Sequence, residues 1–125
     1  MNKSEFKKKL YELFMREVDD LNFDEKINYI ENLIIKFYSQ KENDVLRDCS
    51  NKGKPWIDEE LMIILFEAPT KANCMKFARI FKRGYGSIEQ IYRWASTPKN
   101  ELGERESDSF IQQIKRVAGK VGFRA

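Results

Sequence analysis

Side chains suited to binding nucleic acid are concentrated around a glycine-containing break near residue 84. The stretch KRGYGSIEQIYR covers residues 82–93. Lysine, arginine and hydroxyl groups bind phosphate oxygens, whereas glutamine, glutamate and arginine can bind base edges in the major groove. The stretch therefore predicts contact with double-stranded DNA. The predicted DNA-binding residues are Lys82, Arg83, Tyr85, Ser87, Glu89, Gln90 and Arg93, joined by Lys115 and Arg116 on the last predicted helix.

Each of these side chains is expected to have its own role. Gln90 is expected to pair with adenine, and Arg93 with guanine or phosphate. Glu89 is expected either to accept from cytosine or only to exclude wrong sites. The turn residues, including an exposed Tyr85, are expected to hold the DNA backbone. Two simpler alternatives remain open: the basic residues form an ordinary solvated face, and Ser87 is only a helix cap.

The charge distribution also favours a polyanionic partner for the second half of the chain. Up to Thr70 there are eleven basic and fifteen acidic residues, and from Lys71 onward there are twelve basic and five acidic residues. A net charge of −4 is thus followed by one of +7, which accounts for the total of +3. A basic half beside an acidic half predicts that only one of them faces nucleic acid.

Several kinds of chemistry are disfavoured by what the sequence lacks. The 125 residues include no histidine, which removes the commonest general base and the commonest metal ligand. Cys49 and Cys74 lie far apart and form no Cys-x-x-Cys pair. No glycine-rich phosphate loop, nucleophile motif or nuclease-like cluster is present. The chain is therefore predicted to be no enzyme and to use neither metal nor cofactor.

The N-terminus and the apolar runs indicate where the protein resides. The first residues, MNKSEFKKKLYELF, contain no apolar stretch long enough for a signal peptide. No segment approaches the roughly 18 apolar residues of a membrane span. We therefore expect a cytoplasmic protein with reduced, buried thiols and no membrane partner.

Apolar residues recur at helical spacing throughout, so the predicted fold is all-α. The predicted helices span residues 4–20, 24–40, 58–67, 70–82, 87–95 and 107–120. Ser4, Asp24, Thr70 and Ser87 are the expected N-caps, and Gly84 is expected to be left-handed at a helix end. The run LMIILF at residues 61–66 is also compatible with a strand, and its acidic start favours a helix.

The predicted organisation has four parts. Residues 1–42 form a helical hairpin, 43–54 a linker, 55–97 a three-helix helix-turn-helix unit, and 98–125 a loop and C-terminal helix. The hairpin carries more apolar surface than two helices can bury between themselves. We expect the C-terminal helix or a second copy of the chain to cover the excess.

The predicted helix-turn-helix resembles a known family of domains. Three short helices, the last two separated by a glycine-containing turn, are typical of this DNA-binding motif. PWIDEEL at residues 55–61 and GYGSIEQIYRW at 84–94 resemble the Myb/SANT-type domain. Trp56 matches its first tryptophan, Asp58–Glu60 its acidic start, and Trp94 its later aromatic. Ile57 replaces the usual Thr or Ser, and the central tryptophan has no counterpart unless Phe77 or Phe81 fills its volume.

Two functions are consistent with this reading. The leading hypothesis is a DNA-binding regulator, or an accessory factor of a bacterial mobile element or phage, with the hairpin available for homodimerisation. The alternative is a helical protein–protein adaptor without DNA binding, which would use the apolar face between Ile27 and Tyr38. Salt dependence separates the two, because phosphate binding releases counterions and apolar contact does not.

Overall fold

The computed structural model describes residues 1–124 and is all-helical, as the sequence predicted. Within this range there are six α-helices, three short 3-10 helices and no strand. The α-helices are α1 (Lys3–Met15), α2 (Phe23–Ser39), α3 (Asp58–Phe66), α4 (Lys71–Phe81), α5 (Tyr85–Ser96) and α6 (Ser109–Val121). The 3-10 helices span Lys41–Leu46, Lys99–Glu101 and Gly103–Ser107. The run at residues 61–66 is helical, which confirms the choice of helix over strand there.

The chain divides into two compact units, the first covering Met1–Lys36 and the second beginning at Phe37. In the first unit, Asn2 caps α1 by accepting the Glu5 backbone N–H at 2.8 Å. At the start of α2, the Asn22 side chain accepts the Glu25 backbone N–H at 2.8 Å, and the Glu25 side chain accepts the Asn22 backbone N–H at 3.0 Å. Because an asparagine precedes each helix, the predictions that Ser4 and Asp24 are the N-caps were wrong.

The first unit is joined by a buried lysine rather than by an apolar core. Within residues 1–36, the only buried side chain belongs to Lys26, near the start of α2. Its ammonium donates to the carbonyls of Phe14 and Arg16, the latter at 2.8 Å. These carbonyls end α1 and have no partner within it, so the lysine satisfies them and its charge opposes the negative end of the helix dipole.

The second unit contains the hydrophobic core. Leu61, Ile64, Ile88, Ile91 and Ile114 are fully enclosed there. Helix α6 packs on both α3 and α5, while α4 packs on α5. The C-terminal helix is therefore a structural part of this fold, in which it supplies one wall of the core.

Residues 43–54, predicted as a linker, lie in the second unit and contact the turn between α4 and α5. Asn51 donates its backbone N–H to the Lys82 carbonyl at 3.1 Å and its side-chain amide to the Phe81 carbonyl at 2.9 Å. Arg47 donates to the Arg83 carbonyl at 3.2 Å. These bonds satisfy carbonyls that the end of α4 leaves without helical partners.

The turn itself differs from the prediction in which residue is left-handed. Lys82 has φ 55° and ends α4, and the Arg83 N–H donates to the Ala78 carbonyl at 3.0 Å. This is the Schellman arrangement, in which a left-handed residue follows the last helical turn. Gly84 has φ −67° and is the N-cap of α5, so its predicted left-handed role was wrong, as was the prediction of Ser87 as N-cap. A Cβ at Gly84 would lie 2.9 Å from Asp44 Oδ2, so a larger residue there would require the end of the Asp44 side chain to shift from its pairing with Arg47.

This geometry predicts how substitutions at Lys82 and at Gly84 change the free energy of unfolding. Lys82→Gly should be about 0.5–1 kcal/mol more stable than Lys82→Ala, since only glycine adopts a positive φ without steric cost. Gly84→Ala should destabilise by about 0.5–1 kcal/mol, because the Asp44 carboxylate must shift and its ion pair with Arg47 weakens. Urea unfolding measures both effects. A Gly84→Ala variant as stable as the wild type would contradict this description of the turn.

Candidate DNA-binding interface

Helix α5 presents one apolar and one polar face, as expected for a helix that could enter a DNA groove. Ile88 and Ile91 are fully buried, whereas Glu89, Gln90 and Arg93 are exposed. Arg93 is a neighbour of both Gln90 and Glu89 on the helix surface, because it follows them by three and four positions. The structure thus brings together the three side chains predicted to contact bases, and Ser87 lies half-exposed one turn before them.

Arg83 is not on this surface. It is 4% exposed, and its guanidinium lies 3.9 Å from the centre of the Trp56 ring. The guanidinium donates to the carbonyls of Lys54 and Pro55. Burial lowers the pKa of Arg83, and the Glu60 charge acts in the opposite direction. The expectation that Arg83 flanks the turn on the surface was wrong, because stacking and hydrogen bonds hold it inside the fold.

Tyr85 is likewise buried rather than exposed. Its side chain is 2% exposed in the core that also contains Cys74 and Phe77. Burial raises the pKa of Tyr85 to about 12 and that of the Cys74 thiol to about 11. The prediction of an exposed Tyr85 was wrong, since α5 begins at this residue and its first turn already faces the core.

The two basic residues predicted on α6 connect it to neighbouring segments. Lys115 donates to the carbonyls of Ala95 and Thr97, which terminate α5, and burial lowers its pKa. Arg116 forms a paired contact with Asp58 at 2.7 and 3.0 Å. Gln113 also donates to Asp58 at 2.9 Å. Asp58 therefore links α3 to α6, while α3 is capped by Glu60, which accepts the Ile57 N–H at 3.0 Å.

A cleft beside the start of α5 contains basic residues that the sequence analysis did not select. The cleft has a volume of about 370 Å³ and is lined by Ser39, Lys41, Asp44, Lys52, Gly84, Gly86, Ser87, Glu89 and Gln90. Lys41 and Lys52 are exposed. They belong to the segments around the predicted linker, and no periodicity there indicates that they would lie beside α5. The carboxylate of Asp44 in the same cleft is paired with Arg47 at 2.6 Å.

The remaining predicted residue, Lys82, is half-exposed beside the turn. Its ammonium lies 3.7 Å from Asp48 Oδ2, and both side chains are more than half exposed. Such a pair contributes little to stability and can exchange its partner. Lys82 is therefore available to an external anion, unlike Arg83.

Both tryptophans that carried the family resemblance are half-buried against the same core. Trp56 meets Phe81 edge to face with ring centres 5.7 Å apart. Phe77 is buried next to Phe81, at a centre-to-centre distance of 6.2 Å. The aromatic cluster is thus built from one tryptophan and two phenylalanines on α4.

Residues 1–124 contain no group of three or more cysteines and carboxylates placed to hold a metal ion. The same residues include no helix long and apolar enough to cross a membrane. Cys74 is buried and Cys49 half-buried, and both thiols are free.

Comparison with known proteins identifies the family. Residues 50–125 match the family described as uncharacterised protein PM1205 C-terminal domain. The chain is 53% identical over 125 residues to the uncharacterized protein PM1205 of Pasteurella multocida strain Pm70, covering 99% of each chain. The chain therefore belongs to the PM1205 family. No solved structure is significantly similar to it.

The position of Arg83 predicts a stability defect rather than a simple binding defect. Arg83→Lys should destabilise by about 2–3 kcal/mol, since an ammonium cannot make the same planar stacking and forked hydrogen bonds. The matched control Arg93→Lys should change stability by less than about 0.5 kcal/mol, because Arg93 is exposed. Equal unfolding midpoints in urea for the two variants would contradict the structural role.

The link between α3 and α6 predicts a pH dependence. Hydrogen bonding from Arg116, aided by Gln113, lowers the pKa of Asp58 to about 2. Its contribution to stability is thus fully present above the unfolded pKa of about 3.9 and is lost as the pH falls through about 2. Asp58→Asn should be less stable than the wild type at neutral pH, and the gap should narrow at low pH. Urea unfolding at neutral and at low pH measures the difference in free energy of unfolding between the two proteins. A difference that is the same at both pH values would contradict this account.

Proposed function

We propose that this member of the PM1205 family binds double-stranded DNA, with α5 as the helix that enters the major groove. The observation that carries the proposal is the exposed polar face of Glu89, Gln90 and Arg93 on a helix backed by buried Ile88 and Ile91. A helix with its side chains is about 10–12 Å across, and the major groove is about 12 Å wide. All three exposed side chains are of types that bind base edges there.

The join between α4 and α5 supports the same function. Three residues, Lys82, Arg83 and Gly84, separate the two helices, and α4 packs on α5. A turn of three or four residues between two packed helices is the arrangement of a helix-turn-helix. The resemblance of residues 55–94 to Myb/SANT domains is in keeping with it, and we propose that the pair forms this motif.

Phosphate contacts would come from a smaller set of residues than the sequence suggested. Lys82 at the turn and Lys41 and Lys52 in the cleft are exposed and lie around the first turns of α5. Arg83, Lys115 and Arg116 are engaged within the fold. About three phosphate contacts would give a slope of log affinity against log salt near −3.

The proposed role is that of a cytoplasmic regulator, or of an accessory factor of a mobile element. The concentration of basic residues after Lys71 supports a nucleic-acid partner. Glu89 would contribute to sequence preference, because a carboxylate accepts a hydrogen bond from cytosine and repels phosphate at other positions.

A protein–protein adaptor remains the second candidate because one observation favours it. On α2, Tyr29, Leu33 and Ile34 are each about half exposed. Exposed apolar patches of this kind mark protein interaction sites. An adaptor would bind its partner with little dependence on salt, whereas binding through α5 must weaken as salt rises.

Titration of random genomic duplexes, followed by fluorescence anisotropy, tests DNA binding. Affinity should fall steeply between about 50 and 200 mM salt. Arg93→Ala should lower affinity about 5- to 100-fold through loss of a base or phosphate contact, and Gln90→Ala should relax the preference at one base pair. The matched control is Arg16→Ala, which changes another exposed arginine, in the first unit, and should leave affinity unchanged. Binding that ignores salt, or equal losses in the two arginine variants, would overturn the proposal.

A further inference from the structure

We infer that the first unit, Met1–Lys36, is completed by the same unit of a second chain, so that the protein is a homodimer. This unit lacks a core of its own. Within residues 1–36 no apolar side chain is buried, and α1 has no buried residue of any type. Apart from the terminal Met1, the large apolar side chains of this unit that remain 45–82% exposed are Phe6, Tyr11, Leu13, Met15, Phe23, Tyr29, Leu33 and Ile34.

Two isolated helices of this length are not expected to persist in water. Helix α1 has 13 residues and lies in the range of about 12–15 residues below which isolated helices are marginal, and α2 is only slightly longer at 17 residues. The hydrogen bonds described between them are those from Lys26 to the end of α1. Burial of the apolar faces against another protein surface supplies the stabilisation that the unit lacks.

The exposed area is the size that a stable dimer needs. Aromatic side chains bury about 150–250 Å² each when fully enclosed, so half-exposed ones still offer about 100 Å², and the aliphatic ones offer somewhat less. Eight such residues provide about 600–800 Å² on each chain, or about 1,200–1,600 Å² for two chains. This lies within the range of a standard specific interface, without any contribution from a different protein.

The spacing of the apolar residues fits a helical bundle. On α1, Phe6, Leu10 and Leu13 follow one another at steps of four and three. On α2, Phe23, Ile27, Ile30 and Ile34 continue the same alternation over three steps. Alternating steps of three and four residues form the seam along which helices pack side by side in coiled coils and four-helix bundles.

The charges of the unit complement a second copy in one orientation. The open end, residues 1–9, carries four lysines and one glutamate. The loop end, residues 16–26, carries five carboxylates and two basic residues, of which Lys26 is buried in its capping contacts. An antiparallel pair places the basic end of each chain beside the acidic end of the other. The antiparallel arrangement thus pairs opposite charges at both ends of the dimer, whereas the parallel arrangement opposes like charges.

Sedimentation equilibrium of the full chain without DNA tests the dimer independently of the proposed DNA binding. The wild type should have about twice its monomer mass of 14.9 kDa at about 100 µM. Leu13→Glu combined with Ile34→Glu should weaken dimerisation by at least about 100-fold, because charges would enter the apolar seam. The matched control is Val45→Glu in the second unit, where the side chain is 87% exposed, and it should remain dimeric. A monomeric wild type, or a double variant that dimerises as well as the control, would overturn the inference.

A charge exchange tests the antiparallel orientation and does not depend on disrupting the seam. A chain with Lys7, Lys8 and Lys9 changed to Glu should dimerise poorly. A second chain with Asp19, Asp20 and Asp24 changed to Lys should also dimerise poorly. A single chain that carries all six changes should dimerise again, because an antiparallel pair then places the acidic end of each copy beside the basic end of the other, whereas a parallel pair still opposes like charges. If the chain with six changes dimerises no better than either chain with three, the proposed orientation is overturned.

Discussion

The second unit depends on the burial of one guanidinium group. Arg83 lies in the turn between α4 and α5, stacks on Trp56 and binds the carbonyls of Lys54 and Pro55. These contacts connect the segment just before α3 to the turn between α4 and α5, and this turn sets the direction of α5. Arg47 adds a second attachment by stacking on Tyr38 at 4.1 Å and donating to the Arg83 carbonyl. Together with the burial of Ile88 and Ile91 in the core, these contacts hold the exposed face of α5 in a defined position.

This arrangement separates the residues that build the turn from those that can meet a ligand. Arg83, Tyr85, Lys115 and Arg116 are engaged in burial or internal hydrogen bonds. The exposed face of α5 and the lysines of the adjacent cleft remain free to bind an anionic partner. A charged side chain near α5 therefore either holds the helix in place or is available to contact a ligand, and the exposed fraction of the side chain distinguishes the two roles.

Helical periodicity was sufficient to predict the six α-helices, the inward face of Ile88 and Ile91, and the outward face of Glu89, Gln90 and Arg93. These features depend on local spacing. The burial of Arg83 and Tyr85 was missed because it depends on Trp56 and on the core around Cys74, which are distant in sequence. Lys41 and Lys52 were missed for the same reason, since the polar segment around them has no periodic pattern. Asn2 and Asn22 could have been found, because each is a good N-cap that precedes a glutamate by three positions.

The central claim is that the exposed face of α5 contacts DNA. The most direct measurement is a nitrogen-15 amide NMR titration of the full chain with a short duplex. The account predicts the largest shifts at Gly86, Glu89, Gln90 and Arg93, followed by Lys41 and Lys52, and their loss as salt is raised. Shifts confined to α1 and α2, or no shift along α5 at low salt, would contradict it.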